Sequence, residues 1–115
     1  MIITVKQAYN IFKKKYKNII SDGELQFDAA YSTDVYKNKI DISNRSSFID
    51  SGANVFIFPN LESGNIAYKI TQYLGGYTAL GPLLQGLNKP IHDLSRGCSV
   101  DDIINVVAIA SLQKN

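Results

Sequence analysis

An α/β fold, a mainly parallel sheet with flanking helices, is predicted for this 115-residue chain from three features. Short apolar segments of strand length alternate with stretches of helical periodicity, the signature of strand–helix–strand units. One such segment, "NVFIF" at 54–58, is continuously apolar and ends at Pro59, as a strand covered on both faces would be. The segment after it repeats apolar residues at helical spacing and stops at a glycine pair, which suits a crossover helix. At 45% hydrophobic the chain has material for one modest core, so one domain, or part of one, is expected over residues 1–115.

The elements follow in order. Thr4 and Gln7 have capping-box spacing, and Val5, Ala8, Tyr9, Phe12, Tyr16 and Ile19 recur at helical intervals, predicting a first helix over about 5–18. "SDGELQFDAA" breaks that period at Gly23, alternates Leu25 and Phe27 as a short strand, and continues into a helix through about Lys37. Residues 37–52 are polar and rich in serine and asparagine, and read as mostly loop, the most mobile part of the chain. The strand at 54–58 comes next, then a helix with Leu61, Ile66, Ile70 and Leu74 on its apolar face, closed by Gly75 and Gly76. "ALGPLLQGL" at 79–87 reads as a strand with an irregular start. Ser99 then caps a final helix whose broad buried face is Val100, Ile103, Ile104, Val107, Ala108 and Leu112.

Composition excludes several classes of function. The net charge of +2 is small and the lysines are scattered apart from "KKKYK" at 13–17, a solvated helix face, so no nucleic acid partner is implied. A single cysteine forms no internal disulfide, and the N-terminus lacks the order of a signal peptide, which makes the cytoplasm the expected compartment. No apolar run approaches the roughly 20 residues that span a bilayer. A soluble protein without a membrane partner is expected.

Chemistry-bearing residues concentrate in "HDLSRGCSVDD" at 92–102, which holds the chain's only His and only Cys. This loop leads into the N-terminus of the last helix, where unpaired N–H groups and the positive end of the helix dipole attract anions. Arg96 adds a charged fork, Ser95 and Ser99 add hydroxyls, Gly97 allows close backbone approach, and Asp101 and Asp102 add carboxylates. The same spacing equally makes Ser99 and Asp102 a capping pair, with Arg96 satisfying a carboxylate. His92, Asp93 and Ser95 do not form a nucleophilic triad, since residues packed into four loop positions cannot easily complete the hydrogen-bond chain. One His and one Cys lack the companions of a zinc centre, so no metal site is predicted. Cys98 reads as small core filler, and the glycines fit neither nucleotide-binding fingerprint.

The blocks "DGELQFDAA", "ANVFIFPNLESGNIAYKI", "GPLLQGLNKP" and "DLSRGCSVDDIINVVAIASLQ", in this order and with these gaps, resemble the C-terminal part of the phosphate acetyltransferase (phosphotransacetylase) family. The likeness covers nearly everything from Asp22 to Gln113. It implies the C-terminal portion of a two-domain α/β fold similar to isocitrate and isopropylmalate dehydrogenases, with the active site between domains and subunits paired as homodimers. The implied reaction is reversible acetyl transfer, acetyl-CoA and phosphate giving acetyl phosphate and CoA, with CoA and acetyl-CoA as substrates and no cofactor. Matched onto this sequence, the family's active-site serine is Ser95, its arginine Arg96 and its proposed base Asp102, with Arg96, Gly97 and Ser99 binding substrate. The chain departs from the family at His92, where asparagine is common, and at Asn60, where aspartate is common. Complete members are longer and begin with a domain absent here, so a C-terminal fragment, inactive alone, is expected. Two other readings stay open: an acetyl-CoA-sensing or assembly module like the tail of malic enzymes, and a phosphate butyryltransferase.

Overall fold

The computed structural model describes residues 2–45 and 52–113. Their contacts divide into two compact units, 1–65 and 66–115.

In the first unit, helix α1 (Ile2–Lys15) starts ahead of Thr4. Thr4 therefore lies inside the helix, and its pairing with Gln7 is not a cap, because a capping residue must precede the first helical turn. Lys13, Lys14 and Lys15 occupy the last turn, where their charge complements the helix dipole. The Tyr9 hydroxyl donates to the Ser21 carbonyl at 3.3 Å, which draws the following segment back along the helix.

The strand expected at Leu25 and Phe27 is absent, and Phe27 instead opens helix α2 (Phe27–Tyr31). Helix α3 (Thr33–Lys39) follows after a break at Ser32, whose backbone is extended and whose hydroxyl accepts from the Val35 N–H at 3.4 Å. One helix predicted to run through Lys37 is thus two, because a serine that can cap competes with helix continuation. The two helices pack around Ala29 and Tyr36, both buried. The Tyr36 hydroxyl donates to Asp22 Oδ2 at 2.5 Å, and a half-exposed Lys39–Asp28 ion pair at 2.6 Å ties α3 to α2. Past α3 the chain makes a 3-10 turn (Ile42–Asn44), and the Arg45 guanidinium donates to the carbonyls of Ile40 and Lys37. Those bonds satisfy acceptors that the end of α3 leaves open. Of the loop expected over 37–52, residues 46–51 lie outside the described residues.

Residues 53–58 run beside α2, with the Ala53 N–H on the Ala30 carbonyl at 2.9 Å and the Phe56 and Phe27 rings 5.2 Å apart. Val55 and Ile57, on the other side of this run, are 70% and 89% exposed. Neither this segment nor 79–87 is paired into a ladder, and no strand occurs among the described residues.

Helix α4 (Leu61–Tyr73) starts at Asn60, whose Oδ1 accepts from the Ser63 N–H at 2.8 Å and the Ser63 hydroxyl at 2.6 Å. An amide oxygen caps as well as a carboxylate does, so the departure at Asn60 leaves the helix start intact. At the other end Gly76 takes the left-handed conformation (φ +70°), and a Cβ at Gly75 would lie 2.5 Å from the Thr71 carbonyl oxygen. The glycine pair ends the helix as the sequence predicts.

In the second unit, helix α5 (Val100–Leu112) buries Val106. The rest of its expected core face is largely open: Val100 is 72% exposed, Val107 59% and Leu112 86%. Apolar periodicity marks the face a helix can bury, but burial needs a second surface to cover it. The His92 ring fastens the loop before α5 to its end, accepting the Leu84 N–H on Nδ1 at 3.2 Å and placing Nε2 2.7 Å from Gln113 Oε1. Among the described residues no helix is long and apolar enough to cross a membrane.

Tyr36→Phe removes a buried donor from Asp22 and should cost about 1–2 kcal/mol, measured by urea unfolding of the two proteins. The isolated chain should also self-associate through its open apolar faces, and light scattering showing a monomer at high concentration would contradict this.

Candidate functional site

The segment 92–99 is shaped by short-range bonds. The Cys98 N–H donates to the Ser95 carbonyl at 3.0 Å, closing a four-residue turn, and the Gly97 N–H reaches Ser95 Oγ at 3.3 Å. A Cβ built at Gly97 meets nothing within 4 Å, so the turn has open space above it. Asp93 Oδ1 accepts the Leu94 N–H at 2.8 Å. His92, occupied by Leu84 and Gln113, is not hydrogen-bonded to Asp93 or Ser95, and no triad forms.

From Ser99 the chain enters α5 through a capping box. Ser99 Oγ accepts the Asp102 N–H at 3.2 Å, while Asp102 Oδ2 accepts the Ser99 N–H at 2.8 Å and the Ser99 hydroxyl at 2.9 Å. The backbone N–H of Ser99 and then its hydroxyl hold the Asp102 carboxyl below its ordinary value of 3.8. The bonds that the carboxylate accepts both fall on Oδ2, leaving Oδ1 as the oxygen able to accept a further proton or donor.

Ser95, Gly97, Cys98 and Asp102 line one small cavity of about 40 Å³, and its remaining wall is Tyr68, Lys69, Gln72, Tyr73, Ala79 and Gly81. The structure thus brings together two of the predicted catalytic residues, Ser95 and Asp102, with Gly97. Arg96 and Ser99 are outside the lining. Arg96 is exposed and has no hydrogen bond or ion pair among the described residues. Cys98, half-buried, is part of the site wall and not the core filler expected from composition. The α4 contribution was missed by sequence reasoning that followed only the apolar face of that helix. Its signal is the pair of i, i+4 spacings, Tyr68 with Gln72 and Lys69 with Tyr73, which puts four long amphipathic side chains on adjoining rows. Among the described residues no cluster of three or more His, Cys, Asp or Glu side chains could hold a metal ion. A larger cavity of about 310 Å³ belongs to the first unit and is lined by Lys13, Tyr16 and residues 17–21, away from every predicted site residue in sequence.

Residues 1–111 match the family described as "Phosphate acetyl/butaryl transferase". The chain is 49% identical over 109 residues to a phosphate acetyltransferase of Bacillus subtilis, covering 95% of this chain and 32% of that protein. It is 51% identical over 109 residues to one of Buchnera aphidicola, covering 95% of this chain and 15% of that protein. With one of Staphylococcus epidermidis it shares 45% identity over 117 residues, 97% of this chain and 34% of that protein. The chain therefore spans about a third or less of the length of these curated relatives.

Asp102 carries a pH test. Because its carboxyl is held below 3.8 in the folded chain, its stabilising effect is complete well above that value and is lost as pH falls through the lower folded value. Asp102→Ala should melt below the wild type at about pH 7, and the gap should narrow by about pH 2. Thermal melts followed by circular dichroism across that range check it.

Proposed function

The chain belongs to the phosphate acetyl/butyryl transferase family, and we propose that it supplies part of the active site of a phosphate acetyltransferase, transferring acetyl groups between CoA and phosphate. The observation that carries the reading is the shared cavity: Ser95, Gly97 and Asp102, assigned from one sequence block, line the same wall. Relatives named for acetyl transfer favour acetyl over butyryl groups. The reading extends to an α/β fold, the C-terminal portion of a dehydrogenase-like two-domain architecture. It also extends to a cytoplasmic homodimer that uses CoA and phosphate as substrates and needs no cofactor.

In the direction of acetyl-CoA synthesis, the CoA sulfur attacks the carbonyl carbon of acetyl phosphate. A C–S bond forms, the carbonyl electrons move to oxygen, and collapse of that intermediate breaks the bond to the phosphate oxygen, which leaves with its electron pair. Asp102 takes the thiol proton on Oδ1 and returns it to the departing phosphate. The Ser95 hydroxyl donates to the developing oxyanion, and Arg96, exposed at the surface, binds the phosphoryl oxygens. A carboxyl held low is a weak base for a thiol of pKa about 8.5, so cationic stabilisation of the thiolate is part of the mechanism.

The capping box favours a second reading, in which Asp102 only secures α5 and the chain is a binding or assembly module. Turnover separates the two. By itself this chain should show no formation of acetyl phosphate from acetyl-CoA and phosphate, since orientation needs the rest of the relatives' fold. Completed with the remainder of the Bacillus subtilis relative, it should turn over, and Asp102→Asn should lower that rate about 10²- to 10⁴-fold with folding preserved. A fall of less than about threefold assigns Asp102 to structure alone.

A further inference from the structure

The cavity wall contributed by α4 includes a cation that the carried-over residue roles do not use. Lys69 lines the cavity with Ser95, Cys98 and Asp102. Its Nζ sits 5.2 Å from the centre of the Tyr68 ring, and among the described residues it makes no ion pair. Asp102, the carboxylate of the same wall, is engaged by the Ser99 N–H and hydroxyl, so the Lys69 charge is not neutralised by a direct bridge. Arg96 lies outside the lining. A volume of about 40 Å³ has room for a water or two, so a tetrahedral anion would rest at the mouth of the cavity, within reach of an ammonium on a flexible four-carbon stem.

We propose that Lys69 is a phosphate-binding residue of this site, holding the phosphoryl oxygens of phosphate or an acyl phosphate over the Ser95–Cys98 turn while Ser95 addresses the carbonyl. The Tyr68 ring keeps the ammonium at the wall by cation–π attraction. The inference rests on the acyltransferase reading above and adds to it the group that fixes the anion.

Cys98, the chain's only cysteine, lines the same cavity and serves as a built-in reporter of its charge. The test measures alkylation of the full chain by iodoacetate, an anion, and by iodoacetamide, a neutral reagent of similar size, with and without inorganic phosphate. The iodoacetate-to-iodoacetamide rate ratio should fall about threefold or more in Lys69→Met and be retained in Lys69→Arg. Phosphate should slow iodoacetate in the wild type and in Lys69→Arg but not in Lys69→Met. Lys69 is exposed, so these variants should keep the wild-type melt, and Lys69→Gln stands in if the methionine variant does not. An unchanged ratio in Lys69→Met overturns the proposal, as does phosphate protection equal to that of the wild type. Should Arg96→Gln abolish phosphate protection while Lys69→Met leaves it, the Lys69 assignment fails and the site reading survives. Absence of phosphate protection in the wild type removes both.

Discussion

The candidate site depends on the reciprocal bond between Ser99 and Asp102. It satisfies backbone donors that the first turn of α5 would otherwise leave open, and it fixes where the preceding turn leaves the helix. Ser95, Gly97 and Cys98 reach the cavity because the chain must arrive at Ser99 in the extended conformation that the cap requires (φ −84°, ψ 169°). The Cys98 N–H on the Ser95 carbonyl closes the turn that carries the serine, which lines the cavity with Asp102. A single carboxylate oxygen performs the capping, which leaves the other open for the proton transfer proposed above. One residue can therefore serve both structure and proton transfer, and the pH range in which it remains ionised is set by the same Ser99 bonds.

The electrostatics of the site bear on its mechanism. In the acyl transfer proposed above, a base held low would not by itself generate much thiolate, and positive charge near the sulfur would lower the cost of ionisation. The chain offers two cations of different character. Arg96 is a planar fork at an exposed loop position, suited to paired contacts with phosphate oxygens once an anion is present. Lys69 is a compact charge on a helix, with its Nζ over the Tyr68 ring, and is available before any ligand arrives. Loop and helix contributions thus divide between a planar fork and a point charge.

Packing in both units is thin for the apolar content of the chain. Ala29, Tyr36 and Val106 are the buried apolar residues among those described, while α5 and the 54–58 run keep long side chains exposed. Apolar residues without cover contribute little to stability and favour association with a complementary surface. The relatives are about three times as long or longer. An apolar pattern that looks like a core in the sequence is mostly surface in the structure, because burial needs a second surface to cover it.

Local signals in the sequence were sufficient wherever the determining contacts span only a few residues. The Ser99–Asp102 cap, the glycine stop after α4 and the bodies of α1, α4 and α5 were all legible, because periodicity, capping and left-handed glycine act within one or two helical turns. The break at Ser32 was not, because a serine that can cap reads equally well as a helix interior until its hydroxyl is seen on Val35. Nor was the misplacement of Thr4, whose spacing fits a cap and whose position inside α1 does not. By itself the sequence determined the bodies of α1, α4 and α5, the cap and the block of residues from which the site is drawn. Only the tertiary structure decided that Tyr68, Lys69, Gln72 and Tyr73 join Ser95 and Asp102 while Arg96 stays outside, since a cavity wall joins residues far apart in the chain and no local pattern records their meeting.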